Sequence, residues 1–308
     1  MAEEDGTVPL DATFVQTVEY QGRLFQHYAV TQGAYFAPVD EWEITRLELM
    51  HRIFNIVFDN RLIFPPVRSP RRILDCGCGS GNWAVNVAQQ YPDSEVLGVD
   101  ISPHMMPDDI PDNLDLQVDD LNNRFNFQHN HFDVVHSQMV AGGIHANRWQ
   151  SYIRDIYKTL RPGGWCQMVE VYFNAQSDNG SLTRDHALSR WSRSYLDGLQ
   201  PWKNPRAPLQ LSNWMRSAGF TEVDTRLIPL PMCGWSNDAR EHHIGSTNNA
   251  HVNQLLHSLG LYPLTEFCGM SIEAFETLVT EARAEAAEPS IRPYFPLYVC
   301  IGRKPRRR

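Results

Sequence analysis

The chain has 308 residues, enough for one large domain or for one domain with a cap. Apolar residues make up 42% and charged residues 20%, as in ordinary globular proteins, and no apolar run approaches the ~18–20 residues a bilayer span needs. A net charge of −9 argues against broad contact with a phosphate backbone, so neither a membrane nor nucleic acid is an expected partner.

Residues 1–12 read as a disordered acidic N-terminus without a signal-peptide core, and a cytoplasmic location is the default expectation. Residues 13–69 read as a helical cover outside the core. In it, residues 42–58 carry Ile44, Leu47, Met50, Ile53, Phe54, Val57 and Phe58 at helical spacing. Such a helix suits a position over a ligand crevice. Residues 70–173 then alternate strands and helices in the manner of a Rossmann-like α/β sheet. Strands are expected at 71–75, 94–99, 114–118, 132–135 and 165–171, and helices at 82–91 and 149–160.

The first of these strands runs into Asp75-Cys76-Gly77-Cys78-Gly79-Ser80-Gly81. Glycines at alternate positions let the backbone turn sharply and approach a ligand. A dinucleotide site needs G-x-G-x-x-G, and here Asn82 stands where its third glycine belongs. An acid inside the turn would repel a pyrophosphate and suits a cationic ligand with an amino group. The next strand ends in Asp100, placed to accept hydrogen bonds from ribose hydroxyls, and the third ends in Asp119 and Asp120. His136, Ser137 and Gln138 close the fourth strand, and Arg161-Pro162-Gly163-Gly164 stops the following helix.

Residues 174–206 read as a first insertion, with a helix at 182–199. Residues 207–232 return to the core with a helix at 208–219 and a strand at 221–230. A second insertion, 233–290, holds helical stretches at 240–259 and 272–287, the latter capped by Ser271. Residues 291–303 supply a last strand at 294–302, making a seven-stranded core whose added helices form a substrate lid. Residues 304–308 read as a basic tail, and 303–308 carry five positive charges. That end is expected to be a solvated, disordered terminus, with a nuclear import signal as the other reading.

The six cysteines, at 76, 78, 166, 233, 268 and 300, lack any C-x-x-C pair and read as packing residues in a reducing compartment. His129, His131 and His136 have no carboxylate completing a ligand set, so no metal is expected.

Asp-x-Gly-x-Gly-x-Gly resembles the motif of class I S-adenosylmethionine (SAM) methyltransferases. Flanking blocks narrow the resemblance to the fungal LaeA-like, secondary-metabolite branch. They are Tyr35-Phe36-Ala37-Pro38-Val39-Asp40-Glu41-x-Glu43 with Arg46, Leu47 and His51; Gly81-Asn82-Trp83-Ala84; Gly163-Gly164-Trp165 with Glu170; and Tyr294-Phe295-Pro296 through Pro305. Val39 replaces the branch's usual Asn. The resemblance covers about residues 20–305. It implies SAM as cofactor, held by Tyr35, Asp75, Gly77, Cys78, Gly79, Gly81, Asp100, Ile101, Asp119, Asp120 and Ser137. It also implies a small, largely apolar metabolite as substrate, methylated at O or N.

Methyl transfer needs alignment of the nucleophile more than it needs a base. His145 and Glu170 are the candidate catalytic residues. A LaeA-like nuclear regulator, with a regulatory partner or as a homodimer, is one alternative. A methyltransferase fold turned to a pericyclic step is another.

Overall fold

The computed structural model describes residues 8–306. Its centre is a seven-stranded sheet built from β3 (Arg72–Cys76), β4 (Glu95–Asp100), β5 (Leu114–Val118), β6 (Phe132–Gln138), β7 (Leu160–Val171), β8 (Thr221–Pro231) and β9 (Tyr294–Arg303). The strand order is β5-β4-β3-β6-β7-β9-β8, and β9 alone runs antiparallel to its neighbours. The order reverses between β3 and β6, the place where open α/β sheets bind ligands.

The sheet is covered on both faces. Side chains alternate along a strand, so Ile73, Val96 and Val134 face one layer with α3 (Asn82–Gln90). Leu74, Val99, Val135 and Met168 face the other, with α4 (Trp149–Thr159) and α6 (Leu211–Ala218). A third apolar core lies above the carboxyl ends of the strands. It joins α2 (Glu41–Val57), α5 (Ala187–Leu199), α7 (Ala239–Tyr262) and α8 (Ile272–Ala286) through Phe54, Trp191, Leu256 and Phe275. These helices are the lid.

Local signals set the boundaries. Asp40 caps α2 by accepting from the Glu43 amide at 3.0 Å, and Ser271 caps α8 by accepting from Ala274 at 3.2 Å. Gly219 ends α6 at φ 100°, a left-handed conformation that a side chain resists. The helix at 182–199 starts later than expected, at Ala187, because residues 182–186 form a turn in which His186 Nδ1 accepts from Thr183.

Both ends differ from expectation. The N-terminal cover is not all helical. It opens with a 3-10 turn at Ala12–Val15 capped by Asp11, then a hairpin of β1 (Thr17–Tyr20) and β2 (Arg23–Gln26), followed by the short helix α1 (His27–Thr31). Gln21 and Gly22 at the hairpin tip have φ 51° and 72°, which matches the twist of paired strands. At the other end, Lys304 is not a free tail residue. Its Nζ donates to the carbonyls of Tyr157 and Leu160, both at 2.7 Å, and so completes the carboxyl end of α4. The expected N-terminal disorder over 1–7 and the last two arginines of the basic tail lie outside the described residues. No helix among the described residues is long and apolar enough to cross a membrane.

Candidate active site

The glycine loop joins β3 to α3 over the point where the strand order reverses. Gly77 donates to the Val99 carbonyl at 2.7 Å and has φ 76°. A Cβ there would sit 2.5 Å from Val140 Cγ1, so this position tolerates neither the conformation nor the volume of a side chain. Cys78 donates to the same carbonyl at 3.0 Å, and Gly79 donates to Asp100 Oδ2 at 2.8 Å. Gly81, at φ 71°, leads into α3. The loop amides at 77, 78, 79 and 81 are therefore spent inside the protein, and a phosphate would find acids where it needs donors.

Asp75 is 2% exposed, and its carboxylate has no hydrogen-bond or ion-pair partner among the described residues. Burial, and after it the charge of Asp100, push its pKa well above the ordinary carboxylate value. Asp100 is also raised by burial, against the amides of Ser102, Gly79 and Ile101 that favour its charged form. Asp120 Oδ1 accepts from the backbone and side chain of Asn122, and Asn122 in turn bonds the His145 amide and the Gly143 carbonyl. This chain links the end of β5 to the loop after β6.

These groups line one cavity of about 1340 Å³, counted out to its open mouth. One end is the loop, with Asp75, Asp100, Ile101 and Asp120. The other lies under the lid, with Met50, Phe173, Tyr195, Leu199, Leu259 and Pro263.

The structure brings together Tyr35, Asp75, Gly77, Cys78, Gly79, Asp100, Ile101 and Asp120 as lining residues. Five sequence candidates fall elsewhere, one of them Gly81, whose place is the turn into α3. Ser137 bonds Tyr152 Oη at 2.8 Å on the α4 face, since it is offset by one residue from His136, which faces the cavity. Glu170 lies on that same side of the sheet. Its oxygens accept from the amides of Val140 and Ala141 at 2.8 and 3.3 Å, and burial raises its pKa to about 8. It shapes the loop after β6 instead of facing the crevice. His145 is outside the lining: its Nε2 bonds the Gly33 carbonyl at 3.1 Å, and burial together with Lys203 lowers its pKa. Asp119 sits behind Asp120, with its amide on the Asp100 carbonyl at 3.0 Å.

Sequence reasoning missed other contributors. The ion pair of Glu43 with Arg46 is buried at 0% and 3% exposure, with N–O distances of 2.6 and 2.9 Å, and Arg46 also reaches His251 Nε2 at 3.0 Å. Lys203 Nζ donates to the carbonyls of Ala34 and Gly143 at 2.7 and 3.0 Å, tying the N-terminal segment to the loop after β6. Burial lowers its pKa to about 7. His136 stacks on Trp83 at 3.8 Å and takes a hydrogen bond from Gln167. Among the described residues no cluster of His, Cys, Asp or Glu is placed to hold a metal ion.

A seven-stranded sheet with one antiparallel strand, a glycine loop flanked by buried acids and a helical lid define the class I methyltransferase architecture. A methyltransferase-domain family matches residues 49–225. The secondary metabolism regulator laeA of Monascus pilosus is 32% identical over 291 residues, covering 93% of this chain and 78% of the relative. The protein-methionine methyltransferase laeA of Emericella nidulans is 31% identical over 293 residues, covering 94% and 77%. Among solved structures, a Haemonchus contortus phosphoethanolamine N-methyltransferase 2 in complex with S-adenosyl-L-methionine aligns with a TM-score of 0.52 at 19% identity, over 83% of this chain. The chain spans about half the length of that enzyme, 53%, and the likeness is one of fold. The chain belongs to the methyltransferase family that includes the fungal LaeA proteins. It is a SAM-dependent methyltransferase by family and fold.

Proposed function

We propose that the loop end of the cavity holds SAM and that the lid end holds a small, largely apolar acceptor methylated at O or N. The carrying observation is Asp75, a buried carboxylate without a partner, facing a cavity that continues into an apolar chamber. A buried acid of this kind is relieved by a cation with N–H donors. SAM has such an amino group, and when bound it supplies an electrophilic methyl on a sulfonium.

The chain's own residues orient and exclude water. Asp75 receives the amino group, and Gly77, Cys78 and Gly79 keep the floor low enough for close approach. Asp100, fixed by Gly79 and Ser102, has lone pairs for ribose hydroxyls. Asp120 and Ile101 flank the far end, with Gly81 aiming the start of α3 and Asp119 supporting Asp120. The lid supplies the dry surroundings in which a nucleophile and a methyl group are aligned. Six unpaired cysteines suit a reducing, intracellular setting.

Calorimetric titration with SAM and S-adenosylhomocysteine tests the cofactor end, and absence of binding by the folded protein overturns the proposal. Incubation of host extracts with methyl-deuterated SAM tests the acceptor end, because a labelled small product identifies it. A second reading has one observation in its favour. Met50 and Met139 line the same cavity, and the Emericella nidulans relative is named for methionine methylation. A labelled methyl appearing on protein, with no labelled small molecule, would move the assignment to that reading and towards the regulatory role for which the Monascus pilosus relative is named.

A further inference from the structure

Two phenol hydroxyls in the cavity have nothing to bond. Tyr35, in the segment between α1 and α2, and Tyr195, on α5, both line it. Neither hydroxyl has a hydrogen-bond partner among the described residues. The polar groups around them are already occupied. Arg46 is held by Glu43 and His251, His251 Nδ1 bonds Asn248 at 3.0 Å, and Glu170 is held by the amides of Val140 and Ala141.

The Tyr195 ring is held in place. Tyr195 stacks on Trp191 with centroids 5.0 Å apart and meets Phe173 edge-on at 5.6 Å. Tyr35 sits between Ala34, whose carbonyl is taken by Lys203, and Phe36, which stacks on Tyr262. Both hydroxyls feel Glu43 and Arg46, while Tyr35 also feels Asp100 and Tyr195, and Tyr195 also feels Glu170. Burial raises both pKa values, which leaves each group protonated and able to donate. Neither oxygen is one of the fully enclosed unpaired atoms, so each opens onto the cavity, where water or a ligand can reach it. Two donors that open onto one cavity without a protein partner mark where a ligand supplies the acceptor.

We propose that the Tyr35 and Tyr195 hydroxyls jointly hold an oxygen atom of the methyl-accepting molecule, which makes the substrate an apolar compound bearing a carbonyl, carboxylate or similar oxygen. This rests on the reading that the lid end of the cavity is the acceptor chamber. Tyr195 belongs to the lid core with Phe173 and Trp191, whereas Asp75 and Asp100 already provide for the cofactor's amino group and ribose. Tyr35, which also feels the charge of Asp100, stands where the cofactor end and the acceptor end of the cavity meet.

The test uses the full chain with S-adenosylhomocysteine bound and two probes of one shape, 2-acetylnaphthalene and 2-ethylnaphthalene. Wild type is expected to prefer the ketone. Tyr35→Phe and Tyr195→Phe should each reduce that preference by roughly 3- to 10-fold, the worth of one hydrogen bond, and should leave ethylnaphthalene and S-adenosylhomocysteine affinity unchanged. Melting temperatures should stay level or rise, since only an idle hydroxyl is removed, and a structural role would lower them. Ketone preference unchanged in the double variant overturns the clamp while leaving the chamber intact. Loss of S-adenosylhomocysteine affinity in the variants overturns it in favour of a cofactor contact. Binding of neither probe overturns the chamber reading along with the clamp.

Discussion

The glycine loop and the lid face each other across one cavity and are built by different means. Between Asp75 and Asn82 the ligand-facing surface is backbone, placed by positive φ angles and by amides bonded to Val99 and Asp100. Every contributor lies within a few residues in the chain. On the opposite wall, Tyr35, Arg46, Tyr195 and Leu259 come from four separate segments, and their positions depend on how α2, α5 and α7 pack. On the proposed reading, the loop meets a constant cofactor by shape, and the helical lid holds an acceptor fitted by the insertions. A short motif therefore identifies the cofactor, and only tertiary packing describes the acceptor.

The contrast breaks most visibly at the lid's ion pair. Arg46→Met leaves the Glu43 carboxylate buried and alone, and should lower unfolding free energy by about 3–5 kcal/mol in a denaturant titration. The double change Glu43→Gln with Arg46→Met should recover most of that. If the single change costs under about 1 kcal/mol, the lid is looser than its packing implies.

At the loop, Gly77→Ala must strain φ 76° and push Val140 aside. Overpacking of this kind costs roughly 1–3 kcal/mol of folding stability, and because the displaced backbone is the ligand-facing floor, SAM affinity should fall by more than that, over about 100-fold by calorimetry, with the far-ultraviolet circular dichroism unchanged. Equal losses of SAM binding and of overall stability would erase the distinction between the two walls.

Glu170 sharpens the boundary between them. Its pKa is raised from 4.5 to about 8, so the native state holds a proton that the unfolded chain has released, and its contribution to stability falls as pH rises through that window. Glu170→Gln does not titrate and keeps an acceptor for Val140. The melting temperature of the variant relative to wild type should increase steadily from the acid to the alkaline side of the window. A constant offset would show that Glu170 stays ionised. The smallest effect is expected outside both regions. Arg72→Ala removes an exposed pair with Glu95, and should change stability by less than ~0.5 kcal/mol in the same denaturant titration.

All seven sheet strands and the glycine loop were legible in the sequence, because apolar runs and turn residues are local signals. The β1–β2 hairpin was not: its turn residues Gln21-Gly22 are not the strong Asn-Gly or Asp-Gly signal, and each strand is only four residues long. Ser137 and Glu170 were placed on the wrong side of the sheet. Both end strands near the crevice, but facing follows from register. Asp75 pairs with His136, and His136 with Gln167, so their immediate neighbours point away. His145 was chosen for its nearness to a strand end. Its actual partner, Gly33, lies over a hundred residues earlier in the chain, and no periodicity reports such a contact.

The position of β9 has a consequence for how the protein is made. Among the described residues β8 has no hydrogen-bonded neighbour other than β9, and β9 is translated after both lid helices α7 and α8. At roughly 5–20 residues per second, the nascent chain spends several seconds with β8 and the outer side of β7 as open strand edges. Ribosome pausing or a premature stop between residues 232 and 293 would leave that template exposed, and open edges invite pairing with other chains. Such an interruption should yield aggregate instead of a partly active enzyme. Insertion of β9 between its two neighbours is the step that joins β8 to the rest of the sheet, and Lys304 then fastens β9 to α4.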